Sequence, residues 1–177
     1  MAISNEQLTI NNELNNIAGE LIRDRTQADV DYALSLELGG VYTDENLKGA
    51  YNISDRNRVG RAVNYIAECL RNTGRYEARQ ELREDWNIYD IVRPEDNKKV
   101  LTVLAFLKFQ LPHEETEEVP QSLDNLTYQK ANAVENILFD VCEVFERLLD
   151  SWFHFGEAYA SEFDVWNWQG WDDANSN

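Results

Sequence analysis

The stretch that decides the fold is TYQKANAVENILFDVCEVFERLLDSWFHF, residues 127–155. Its apolar residues recur as Ala131, Val134, Leu138, Val141, Phe145, Leu148, Trp152 and Phe155. The spacing alternates three and four without a break. That is the seam of a helix which keeps one apolar edge against a partner helix. Ile137, Val144 and Leu149 widen the seam into a face suited to a bundle core, while Glu135, Asp140, Glu143, Glu146 and Asp150 are read as lying off it. Thr127 supplies a side-chain oxygen for the orphan amides of the first turn. Gly156 is read as the stop, where a left-handed residue is often needed.

Working outward, composition bounds the rest. A chain of 177 residues, 43% of them hydrophobic, is expected to fold as one domain with a real core. Its 33 acidic residues outnumber 16 basic ones, for a net charge of −17. That balance repels nucleic acid and anionic membrane surfaces, permits a basic partner and favours solubility. Cys69 and Cys142 both fall in helical segments and read as buried free thiols. No apolar run is long enough for a transmembrane span, and MAISNEQLT has neither region of a signal peptide. The product is therefore expected to stay in the cytoplasm where it is made.

Residues 5–24 read as a helix through Ile10, Leu14, Ile17 and Leu21, and 27–38 as a shorter one ending at Gly39-Gly40. Residues 41–50 connect to a helix that opens at Asn52, turns Val59, Val63, Ile66 and Leu70 inward, and ends near Gly74. Residues 75–91 alternate loosely and read as an extended segment across the bundle, with a short hairpin as the other option. Pro94 opens the next helix from its first turn. There, VLTVLAFL (100–107) is apolar nearly all round, which suits a bundle centre or an interface. Pro112 ends it, and the acidic loop HEETEEV (113–119) follows.

Four helix starts share a grammar: TQADVDYA (26–33), NISDRNRV (52–59), RPEDNKKV (93–100) and TYQKANAV (127–134). A cap binds first-turn amides, an acid meets the helix dipole, and an aliphatic residue makes the first core contact. The third lacks a polar cap side chain, and the fourth has Lys130 in place of the acid. Their separations are too uneven for a solenoid. Convergent helix-start grammar and a repeated helical unit both fit.

Chemistry is harder to find. His113 and His154 stand near no cysteine at metal spacing. Glu114, Glu115, Glu117 and Glu118 lack the alternating ligands and glycine of a calcium loop and read as a solvated charge run. There is no phosphate-cradling glycine loop and no nucleophile motif. The expectation is no catalytic, cofactor-binding or metal residue, no cofactor, no small-molecule substrate and no enzyme activity. Four of five tryptophans lie near the C-terminus. Trp152, Phe163, Val165, Trp166, Trp168 and Trp171 are the candidate partner-binding residues, because tryptophan is enriched at binding hot spots. Docking on a neighbour and folding back over the chain's own bundle are both open.

The segments DRTQADVDYA (24–33), LKGAYNISDRNRVGRAVNYIAECL (47–70), DWNIYDIVRPEDNKKV (85–100), LTYQKANAVENIL (126–138) and FGEAYASE (155–162) occur in this order. Together they resemble a family of small phage and prophage proteins from Gram-positive hosts. That family carries KGAYN-x-x-D-x-NRV, DW, LTY-x-x-AN and GE-x-Y boxes. Gly60 and Ser161 depart from its pattern. The resemblance implies a tail or baseplate component, with localisation to the virion after synthesis in the host cytoplasm. Its partners would be other virion tail proteins, with a homo-oligomer also open and no nucleic acid or membrane. An alternative is an acidic phage-encoded inhibitor that mimics DNA charge and blocks a host nuclease. The expected fold is all-α, an irregular antiparallel bundle of four main helices plus a short one over residues 1–162. An extended, Trp-rich aromatic tail over 163–177 completes it.

Overall fold

The computed structural model describes residues 5–37, 47–72, 81–110 and 117–166, with the side chains of 5–8, 37, 72, 110, 150 and 152–166 outside that description. The fold is all-α. Five helices follow in order: α1 (Asn5–Glu20), α2 (Gln27–Glu37), α3 (Ile53–Asn72), α4 (Pro94–Gln110) and α5 (Tyr128–Trp166). The stop at Gly39-Gly40, most of the connector at 41–50, the stop near Gly74, residues 75–80 of the loosely alternating segment and the first part of the acidic loop, 113–116, lie outside the described residues.

The long helix organises the core as its periodicity predicts. Ala131, Val134, Leu138, Val141 and Phe145 are all buried, joined by Ile137 and Cys142. Leu14, Ile17 and Leu21 of the N-terminal segment, Val59, Val63, Ile66 and Leu70 of α3, and Val103, Leu104 and Leu107 of α4 complete one cluster. α1, α3 and α4 all pack on α5, and α3 touches α1 and α4 as well. α1 runs antiparallel to α5: Asn15 meets Glu146, and Ile22, just past the helix, meets Glu135.

The helix-start grammar is a set of capping boxes. At α2 the Thr26 N–H donates to Asp29 Oδ2 at 2.8 Å, while Thr26 Oγ1 accepts from the Asp29 N–H. At α3 the Asn52 N–H donates to Asp55 Oδ2 at 2.8 Å, and Asn52 Oδ1 accepts from the Ser54 and Asp55 amides. At α4 only half survives, the Arg93 N–H donating to Asp96 Oδ2. At α5 Thr127 Oγ1 accepts from the Lys130 N–H, and Lys130 reaches back to the Asp124 carbonyl instead. The acid's place in the pattern is the reciprocal arm of each box. Just ahead of α5, Asn125 takes φ +50°, a left-handed turn that asparagine tolerates better than most residues.

Three expectations need correction. α1 stops at Glu20 rather than 24, because residues 21–26 are drawn out along α5 by the contacts described below. α5 does not stop at Gly156 but continues to Trp166. An internal glycine costs about 1 kcal/mol relative to alanine. The flanking helix formers Glu157, Ala158 and Ala160 oppose that cost. The aromatic segment therefore begins as helix over 163–166 rather than as extended chain. Finally, of the two places expected for α4, a bundle centre or an interface, the enclosed centre is excluded: Ala105, Phe106 and Phe109 face solvent. Residues 81–93 hold no helix or strand, as the extended reading of this segment requires.

Candidate functional site

The most unusual feature of the interior is a group of four charges. Arg25, Asp55 and Glu135 are buried, and Arg58 is nearly so. Arg25 Nη2 donates to Asp55 Oδ1 at 2.8 Å and to Glu135 Oε1 at 2.7 Å. Arg58 donates to Glu135 Oε1 at 2.9 Å, to Glu135 Oε2 at 3.1 Å and also to Asp55. Two cations and two anions sum to zero, which is what makes burial tolerable. Burial works against the Arg58 charge, but Glu135 and then Asp55 overcome it and hold its pKa above the ordinary value. Tyr51 stacks its ring 5.7 Å from the Arg25 guanidinium. Burial first, and then Glu135 and Asp55, push its phenol upward, so it stays neutral.

This group sits beneath the link between α1 and α2. The Ile22 N–H donates to Glu135 Oε2 at 2.6 Å. Arg23 lies 3.5 Å from the centre of the Phe139 ring. Asn132 clasps the Arg25 backbone at both ends, accepting its N–H at 3.1 Å and donating to its carbonyl at 2.9 Å. Three residues of extended chain rise about 10 Å, and seven residues of helix rise about the same. That match lets 22–25 run antiparallel over Asn132, Glu135 and Phe139.

The same device holds residues 81–93 on α3. Asn57 accepts the Trp86 N–H at 2.8 Å and donates to its carbonyl at 3.0 Å. Asn64 does the same for Leu82, with both bonds at 2.8 Å. Between them Gly60 leaves room for the strap: a Cβ there would stand 2.6 Å from the Arg83 carbonyl oxygen. Gly60 is thus a position of close backbone approach. On both helices the contacting residues fall at i, i+3 and i+7.

The KGAYN stretch packs a third link. Lys48 pairs with Asp24 at 2.9 Å, and a Cβ on Gly49 would overlap the Asp29 carbonyl. Hydrogen bonding to Lys48 holds the Asp24 carboxyl below its ordinary range, and bonding to Thr26 does so for Asp29.

The strap ends in a fixed, apolar turn. The Asn87 N–H and side-chain amide both donate to Asp90 Oδ2, and the Asp90 N–H donates to the Asn87 carbonyl. Arg83 pairs with Asp90 at 2.8 Å, and Trp86 lies between Arg56 and Arg83. On this rigid base Ile88, Tyr89 and Ile91 are 77%, 88% and 82% exposed.

A cavity of about 60 Å³ lies between Tyr51, Val59, Leu82 and Trp86. It is well below the roughly 300 Å³ of a small-molecule pocket. Two broader hollows are open to solvent. One is lined by Arg58 and Arg61, which are already paired with Glu135 and Glu20. The other runs beside α4.

The sequence-predicted partner residues are distributed along the chain's end. The backbones of Trp152, Phe163, Val165 and Trp166 belong to α5. Trp168 and Trp171 lie outside the described residues. No described helix is long and apolar enough to cross a membrane. Sequence reading missed Arg25, Arg58 and Glu135 as interior residues, and it placed Glu135 off the packed face. The signal was present: Glu135 is four residues from Ala131 and three from Leu138, on their side of the helix. Comparison with protein-family models, curated proteins and solved structures finds no match.

Proposed function

We propose that this protein is a structural component of a phage or phage-like tail, at the baseplate or fibre attachment, and that it acts by protein–protein assembly. One observation carries the reading: the polar residues of the resembling boxes are occupied inside the fold. Arg25, Asp55, Asn57, Arg58, Asn132 and Glu135 all hold distant parts of the chain together. Charges committed to each other at this depth are poorly placed to turn over a substrate. What the described surface offers instead is contact, through the rigid apolar turn at 88–91 and the outer face of α4.

Other virion tail proteins are the partners in this reading, and Trp152, Phe163, Val165, Trp166, Trp168 and Trp171 are the residues assigned to them. Mass spectrometry of purified particles tests it. The protein should appear at a fixed ratio to the other tail proteins, and its absence from every particle refutes the proposal. Deleting residues 163–177 tests the partner residues. Lost incorporation with unchanged melting supports docking in trans; unchanged incorporation with lower melting means that the segment covers its own bundle.

A further inference from the structure

The cavity of about 60 Å³ beside Trp86 gathers charge from three parts of the chain. Buried Val59, Leu82 and Leu123 line its apolar side. Arg56 of α3, Lys99 of α4 and Arg83 of the 81–93 strap line it too, with Asp96 as the acid among them. Arg83 is already spent, on Asp85 at 2.7 Å and Asp90 at 2.8 Å. Arg56 and Lys99 are not. Arg56 donates to Asn97 Oδ1 and Lys99 to the Glu81 carbonyl, both uncharged acceptors. Among the described residues neither has a carboxylate within ion-pair distance. A guanidinium carries five N–H donors and an ammonium three, so both have donors to spare.

Asp96 gives an oxygen to the Arg93 N–H and can offset only one of the two charges. Burial pulls the Arg56 pKa down, and Tyr51 and Asp96 oppose that only in part. Arg56 is therefore a half-buried cation short of counter-charge. The Tyr51 hydroxyl, on the same cavity, makes no hydrogen bond among the described residues.

We infer that this cavity binds a small free oxyanion, held by Arg56 and Lys99 with the neutral Tyr51 hydroxyl as a further donor. Volume limits the guest: about 60 Å³ is the share of about two waters in the liquid, which suits a compact ion and excludes a nucleotide or a sugar ring. Charge selects its sign. Arg56 and Lys99 against Asp96 leave a surplus of +1, which a bound anion cancels, and a charge-assisted hydrogen bond is roughly twice as strong as a neutral one. The whole chain carries −17, but residues 48–108 hold 12 of its 16 basic residues and nine of its 33 acids. Repulsion from the remainder is largely screened beyond about 8 Å at physiological ionic strength. The ion would tie α3 to α4 at the strap, with an affinity kept low by the chain's overall charge.

This inference is independent of the virion reading, which particle composition tests. Inorganic phosphate, titrated into the full chain against chloride at matched ionic strength, tests the site. The Trp86 indole N–H donates to the Arg83 carbonyl at 3.2 Å and reports from the cavity wall by NMR. Its peak should shift saturably with phosphate, at millimolar affinity, and chloride should not reproduce the curve. Arg56→Gln keeps a donor for Asn97 and should weaken phosphate roughly tenfold or more, as loss of a charged donor does. Arg147→Gln, on exposed α5 surface, should not. If Arg56→Gln fails to fold, Lys99→Gln should show the same loss. Phenyl phosphate separates a free ion from a phosphate group on a larger molecule: the cavity has no room for its ring, so it should bind more weakly than phosphate. No saturable shift, an equal response to chloride, phosphate binding unchanged in the glutamine variants at 56 and 99, or equal or tighter binding of phenyl phosphate overturns the inference.

Discussion

Replacing Glu135 by glutamine keeps the shape of the side chain and removes one charge from the interior. Arg25 and Arg58 would then share Asp55 alone, and a group that sums to zero would carry +1. The uncharged amide oxygen can still accept from Arg58 or from the Ile22 N–H, but the amide nitrogen that replaces the other oxygen faces donors. Removing one partner from a buried ion group costs about 3–5 kcal/mol. For a domain of this size each kcal/mol shifts the melting midpoint by about 2–4 °C. Glu135→Gln should therefore lower the midpoint by roughly 6–20 °C. The control is Glu143→Gln, which breaks an exposed i,i+4 pair with Arg147 at 3.1 Å. That pair is worth at most about 0.5 kcal/mol. Thermal unfolding by circular dichroism compares the two. If Glu135→Gln melts within a degree or two of the control, the reasoning about the buried group fails.

The other predictions concern the links and the thiols. Asn64→Ala should cost about 1–2 kcal/mol and speed exchange at the Leu82 amide more than at any α5 amide, measured by NMR. Gly49→Ala should destabilise more than Gly60→Ala in chemical denaturation, because its Cβ would stand 1.8 Å from the Asp29 carbonyl oxygen against 2.6 Å at Arg83. Burial pushes the Cys69 thiol up to about 11 and Cys142 to about 12, from an ordinary 9.0. Both should therefore resist alkylation at pH 8 until the chain unfolds. The unfolded chain sheds these protons first, so the stability they contribute is intact below about pH 9 and falls as pH rises through 11 and 12. A denaturant midpoint that holds steady from pH 9 to 11 would contradict this.

Local features were readable in the sequence and long-range ones were not. Thr26, Asn52 and Thr127 cap their helices, and Pro94 opens α4, because capping depends on residues within one turn. The seam of α5 was readable because 3.6-residue periodicity is itself local. Glu135 was misplaced because a carboxylate at the edge of a seam is usually solvated. Only partners far away in the chain, Arg25 and Arg58, draw it inside. The amide clasps at Asn57, Asn64 and Asn132 have the same character. Nothing near Asn132 in sequence announces the Arg25 backbone. The run of α5 through Gly156 was missed for the opposite reason. A glycine near a helix end is a common stop, but its cost is small enough for neighbouring helix formers to override.

The central claim is that a buried polar group pins the irregular link between α1 and α2 onto α5. Native-state hydrogen exchange at the Ile22 and Arg25 amides tests it most directly. Neither amide belongs to a helix, yet both donate to α5 side chains. Protection close to that of the Leu138 amide in mid-α5 is the predicted result, and exchange at the rate of an exposed loop would contradict the account.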